Sequence, residues 1–78
     1  MKSLATAFVV VQTESGYEAE VLKNMKSFKE LREAYQVFGA YDILASIETN
    51  TMEQLKEVIS WKIRRLDKIR STLTLIVM

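Results

Sequence analysis

Residues 37–43 read Val37-Phe38-Gly39-Ala40-Tyr41-Asp42-Ile43 and form the sharp corner between two apolar runs near the middle of the chain. Gly39 is one of two glycines and proline is absent, so the backbone freedom that tight turns need is concentrated here and at Gly16. Leu31 to Phe38 before the corner and Ile43 to Glu48 after it are β-prone, which predicts an antiparallel hairpin with residues 39–42 at its tip. Such a tip presents peptide N–H groups, a phenol and a carboxylate together, a set that suits a small zwitterion.

Upstream, Leu4 to Gln12 is dense in β-branched residues and ends in the polar cluster Thr13-Glu14-Ser15-Gly16, so it reads as a strand followed by a turn. Thr6, Phe8 and Val10 point one way and Ala7, Val9 and Val11 the other. Neither side is prepared for water. From Tyr17 the period becomes helical: Tyr17, Val21, Leu22, Met25 and Phe28 share one stripe, with Ser15 or Gly16 expected to start the helix. In the next strand Leu31, Glu33, Tyr35 and Val37 alternate with Arg32, Ala34, Gln36 and Phe38.

Downstream of the corner strand, Thr51 with Gln54 or Asn50 with Glu53 has capping-box spacing. Met52, Leu55, Val58, Ile59, Ile63 and Leu66 then predict a second amphipathic helix. Asp67-Lys68 breaks the period, and Ile69 to Val77 closes the chain as a fourth strand. The order β-α-β-β-α-β predicts an α+β, ferredoxin-like sandwich, a four-stranded antiparallel sheet with both helices on one face and the first and last strands central. Two helices cover one face only, yet the first strand is apolar on both, and Leu73 and Leu75 stand opposite Thr72, Thr74 and Ile76. The open face is expected to bury itself against a two-fold partner. Trp61, off the stripe of the second helix, reads either as a further contact between dimers or as a cover for the edge of the core.

At 78 residues the chain is one domain, 1–78, with a core of only marginal size. Cysteine and histidine are both absent, which removes disulfides and the usual zinc, iron and copper ligands, so assembly is the remaining source of extra burial. A net charge of +1 leaves no electrostatic footprint for DNA or RNA, and the RNA-binding sheets of this topology want more exposed aromatics than Phe8. No glycine-rich phosphate loop or convergent carboxylate pair argues for an enzyme. The run Leu4 to Val11 is too short to span a bilayer, so the expectation is a soluble cytoplasmic protein without metal or cofactor.

Gly39-Ala40-Tyr41-Asp42 after a strand, together with the closing Ile69-Arg70-Ser71-Thr72-Leu73-Thr74-Leu75-Ile76-Val77, resembles the effector-binding RAM domain of the Lrp/AsnC feast/famine transcription regulators. That family carries G-x-Y-D between its middle strands and V-x-x-T-x-T-x-I-V at its end, in the same element order over the whole chain. The glycine often found before its last strand is replaced here by Asp67-Lys68. The first strand begins almost at Met1, so the chain looks like a stand-alone version without the helix-turn-helix domain, and direct DNA reading is not expected.

The resemblance implies an amino-acid effector held between dimers, against the corner of one subunit and the sheet end of another. N–H groups from Gly39 to Asp42 would donate to the α-carboxylate and Asp42 would pair with the α-ammonium. Thr72 and Thr74 would supply hydroxyls, and Tyr41 would wall the side-chain pocket. It further implies a homodimer that assembles on, as in an octamer-like ring of dimers, and that joins full-length Lrp/AsnC regulators to modulate transcription indirectly. Each residue also has a plainer reading: Asp42 as a turn carboxylate bonding its own backbone, Thr72 and Thr74 as ordinary strand residues, Tyr41 as packing. Lys62, Arg64, Arg65, Lys68 and Arg70 read as a solvated helix end. The alternative function is a structural oligomerisation module with no ligand.

Overall fold

Strand β1 (Ala5–Thr13) is buried inside the sheet because both of its faces are apolar. In the computed structural model, which describes residues 4–78, it pairs antiparallel with β3 (Ile43–Thr49) on one side and with β4 (Ile69–Ile76) on the other. The hairpin expected around the corner is present, with β2 (Leu31–Gln36) antiparallel to β3, and the sheet order is β2-β3-β1-β4. The central strands are therefore β1 and β3, not the first and last. Strand β4 lies at an edge, where Arg70, Ser71 and Thr72 meet water more cheaply than in the middle of a sheet. Met1, Lys2 and Ser3, which the sequence reading placed ahead of the first strand, lie outside the described residues.

Alternation along β1 decides the two layers. Ala5, Ala7, Val9 and Val11 are buried and meet Ile43, Ala45 and Ile47 of β3 on the same side. Helix α1 (Glu18–Lys26) adds Val21 and Met25; helix α2 (Met52–Val58) adds Leu55 and Val58; and a π-helical turn over Ile59–Ile63 adds Ile59 and Ile63. A fully buried aliphatic side chain of this kind is worth roughly 1.5–3 kcal/mol. Thr51 caps α2, its hydroxyl accepting the Gln54 N–H at 3.1 Å, so of the two candidate capping boxes the Thr51 one forms. Tyr17 rather than Ser15 or Gly16 is the N-cap of α1, and Gly16, at φ +88°, makes the turn that feeds it.

Three further details depart from the sequence reading. Tyr17 and Met52, expected within the two helical stripes, are exposed at the starts of their helices. The second helix is interrupted: Arg64 donates its N–H five residues back to Ile59, and this widened turn keeps both Ile59 and Ile63 against the sheet. In β2, a bulge lies between Leu31, opposite Ile47, and Glu33, opposite Ser46, so Leu31 packs on the core while Glu33 and Tyr35 join the open face. The open face itself is apolar: Phe8 sits opposite Leu75, and Val10 lies between Leu44 and Leu73.

Candidate functional site

The corner is built by long-range pairing rather than by its own turn. Val37 donates its N–H to the Asp42 carbonyl at 2.8 Å, and Asp42 donates its N–H to the Val11 carbonyl at 2.9 Å, which closes the loop at its base. Gly39 has φ +147°, in a region that side chains rarely adopt. The N–H of Asp42 is thus already engaged, whereas those of Gly39, Ala40 and Tyr41 have no acceptor among the described residues. Gln12 Nε2 donates to the Ala40 carbonyl at 3.3 Å, and the Ser71 hydroxyl donates to Gln12 Oε1 at 3.0 Å, so β4, β1 and the corner are tied in series.

Asp42 is also held from β1. Its Oδ2 accepts the peptide N–H of Thr13 at 2.9 Å and faces the Thr13 hydroxyl at 3.4 Å. The carboxylate therefore serves the backbone of another strand rather than its own turn.

Beside it opens a cleft of about 220 Å³ that brings together Gly39, Ala40 and Asp42 with Gln12 and Thr13 of β1. Glu18, from the first turn of α1, and Arg70, from β4, complete the wall. These last two were not expected there. Glu18 stands in the first turn of α1, where an acid suits the helix dipole without any ligand, and Arg70 reads in the sequence as part of a solvated helix end. The pairing explains Arg70: Gln12 faces Ser71 and Thr13 faces Ile69, so Arg70 is the extra residue of a bulge, a device that re-aims a side chain.

The other expected site residues are elsewhere. Tyr41 is half-buried but does not line this cleft. Thr72 and Thr74 lie opposite Val11 and Val9 on the helix-facing side of β4. Thr74 borders a different hollow, beside Ile59, Ser60, Lys56 and Arg64.

The basic run disperses into separate partnerships. Lys62 reaches Glu30 at 2.8 Å, and this contact holds the Glu30 carboxyl below its ordinary pKa. Lys68 Nζ lies 4.8 Å from the Tyr17 ring centre. Trp61 is exposed and carries the Arg65 guanidinium 4.2 Å above its ring, so it does not seal the core edge. Among the described residues no group of acidic side chains is arranged to hold a metal, and no helix is long and apolar enough to cross a membrane.

The fold and the position of the G-x-Y-D corner agree with a match over almost the whole chain: the family model for the Lrp/AsnC ligand binding domain aligns with residues 6–78. The chain belongs to that family. It is 39% identical over 70 residues to the regulatory protein AsnC of Haemophilus influenzae, a stretch that covers 90% of this chain and 46% of that regulator. Among solved structures it resembles FFRP-DM1, with a TM-score of 0.90 and 38% identity over 95% of this chain and 99% of that one. It also resembles Escherichia coli AsnC, with a TM-score of 0.86 and 31% identity over 95% of this chain and 50% of that one. This Lrp/AsnC domain thus spans less than half the length of the Haemophilus regulator. The family is one of ligand-binding domains in transcription regulators, and that positive assignment is what argues against an enzyme.

Proposed function

We propose that this Lrp/AsnC ligand-binding domain takes an amino acid in the corner cleft, self-associates through the open face of its sheet, and modulates transcription indirectly by assembling with full-length regulators of its family. The carrying observation is the cleft: Gly39 and Ala40, whose N–H groups have no acceptor among the described residues, line one hollow of about 220 Å³ together with Arg70, Asp42 and Glu18. An amino acid presents a carboxylate and an ammonium on one carbon. The N–H groups and the guanidinium answer the first, and the acidic side chains the second. Tyr41 walls the corner, and Thr72 and Thr74, which lie outside the cleft of their own protomer, act from a neighbouring copy whose sheet end meets it.

Self-association rests on the open face. Phe8, Leu44, Leu73 and Leu75 are each more than a third exposed and adjoin across three strands, a contiguous apolar surface that a second copy covers isologously. A ligand bound at a seam between copies shifts the assembly by its differential affinity for the joined state. DNA is then read by the partner regulators.

Calorimetric titration with a panel of amino acids, together with light scattering before and after each addition, tests the reading. A saturable heat from one amino acid, accompanied by a change in mass, is the expected outcome. A protein that is oligomeric but thermally silent across the panel leaves the second reading, a structural oligomerisation module, which the apolar face favours without any ligand.

A further inference from the structure

Trp61 is the one tryptophan of the chain, and it stands 59% exposed on the outer side of the helical layer. The π-helical turn puts it there: Ile59 and Ile63 at the two ends of the turn are both buried, so the residue midway between them faces out. Arg65 holds its guanidinium 4.2 Å from the centre of the indole, which restrains both side chains before any partner arrives. An exposed tryptophan ordered by an arginine is the kind of pair that anchors protein interfaces.

The charges beside it are self-complementary. Glu57 lies four residues before Trp61 and Arg65 four after, so the three share one stripe, acidic at one end and cationic at the other. Glu57 borders the hollow that Lys29 also lines, yet no salt bridge engages Glu57 or Arg65 among the described residues. The neighbouring cations are turned elsewhere: Lys62 binds Glu30, and Lys56 and Arg64 border the hollow beside β4. A two-fold axis through Trp61 therefore sets Glu57 of each copy against Arg65 of the other, with the two indoles between them. A parallel pairing would set like charge against like.

We propose that the stripe Glu57, Trp61 and Arg65 is a second contact between copies of this chain, isologous and weaker than the open face of the sheet, that joins dimers into larger assemblies. An aromatic side chain buries about 150–250 Å². A stable interface needs roughly 1,200 Å² in all, so the stripe is too small to hold two lone protomers together. It lies on the helical side of the sandwich, away from the apolar sheet face, so a dimer formed through that face carries two stripes outward and can engage both. The contact needs no ligand in the corner cleft.

Sedimentation velocity of the full chain over a concentration series, with the emission of Trp61 read in parallel, is the test, since a single tryptophan reports on this place alone. Wild-type protein is expected to pass from dimer to larger species as concentration rises, with a blue shift of the emission that keeps pace. Trp61→Ala is expected to stop at the dimer, and Leu75→Glu to give monomers with the emission of an exposed indole. Glu57→Arg and Arg65→Glu are each expected to weaken the association of dimers at least about tenfold. An equimolar mixture of those two variants is expected to restore it, because the cross-pairs set opposite charges together, which a folding defect in either variant would not allow. A mixture that stays at the dimer, a Trp61→Ala protein that still assembles further, or a wild type that never passes the dimer overturns the proposal. So does an emission shift that appears only on adding a polyglutamate peptide, which assigns the stripe to a foreign acidic partner.

Discussion

The peptide N–H of Thr13, the last residue of β1, donates to Asp42 Oδ2 at 2.9 Å across 29 positions of sequence. The bond locks the mouth of the corner to the central strand, and Thr13 itself is buried. Replacing Asp42 with Ala leaves that N–H without an acceptor in a half-buried place, at a cost of about 1–3 kcal/mol. Asp42→Asn keeps a carbonyl oxygen there and is expected to lose less than half as much. Urea unfolding of the two variants measures the difference, and equal stabilities would show that the Thr13 contact contributes nothing.

Lys68 occupies the left-handed region at φ 64°, one residue before β4. Its own N–H is held by Asp67 Oδ1 at 2.9 Å and its carbonyl accepts the Glu14 N–H at 2.8 Å, so the turn is fixed from both sides. Gly and Ala substitutions both remove the Lys68–Tyr17 contact and differ only in tolerance of positive φ. Lys68→Gly is therefore expected to be more stable than Lys68→Ala by roughly 1 kcal/mol, the reverse of their order within a helix. Thermal unfolding of the pair decides it, and an Ala variant that matches the Gly one removes the strain at this turn.

The Glu30–Lys62 pair predicts a pH dependence with a definite sign. Lys62 hydrogen-bonds the Glu30 carboxylate and lowers its pKa in the folded chain from the ordinary value of 4.5. A lowered folded pKa means that the unfolded chain binds the proton more readily. The stabilisation is complete above the ordinary value and is lost as pH falls through the lowered one. Lys62 is more than a third exposed, so the pair is worth only about 0.5–1 kcal/mol. Lys62→Met, which keeps an unbranched apolar stem, is expected to cost that amount at pH 7 and less at pH 3, below the ordinary value. Denaturant titrations at the two pH values test it, and a pH-independent deficit would assign the effect to packing.

On the open face, Leu75 is 57% exposed and Phe8 opposite it 43%. A charge placed at either position still reaches water in the lone protomer and meets a desolvated apolar surface in a dimer. Leu75→Glu is therefore expected to shift sedimentation to the monomer while changing the protomer's stability by no more than about 0.5 kcal/mol. Unchanged sedimentation in Phe8→Lys and Leu75→Glu together would remove this face as the contact.

Much of the architecture is local and was therefore readable. The switch from period 2 to period 3.6 near Tyr17, its return at Leu31, and glycine at position 39 are each properties of a few neighbouring residues. The exposed open face followed from the same alternation, because β1 is apolar on both sides and the helices cover one. Strand placement was less legible. Strand β3 carries Leu44 opposite Ile43 and Ala45, an apolar pattern on both faces that marks a central strand, but Glu48 obscures it.

The candidate site divides in the same way. Gly39, Ala40 and Asp42 do meet in one cleft, whereas Thr72 and Thr74 turn to the helix side because the register of β4 against β1 places them opposite Thr72's partner Val11 and Thr74's partner Val9. Glu18 was hidden by a sufficient local explanation, its fit to a helix start.

The amino-acid sequence by itself determined the order of elements, the hairpin at the corner and the two apolar faces, because alternation and turn chemistry are written within segments of a few residues. Only the tertiary structure decided that Asp42 clamps Thr13, that a bulge delivers Arg70 to the corner cleft, and that a π-helical turn keeps Ile59 and Ile63 on the sheet. Those outcomes depend on how strands far apart in the chain fall into register, and one extra residue in a ladder redirects a side chain without leaving any mark on the local pattern.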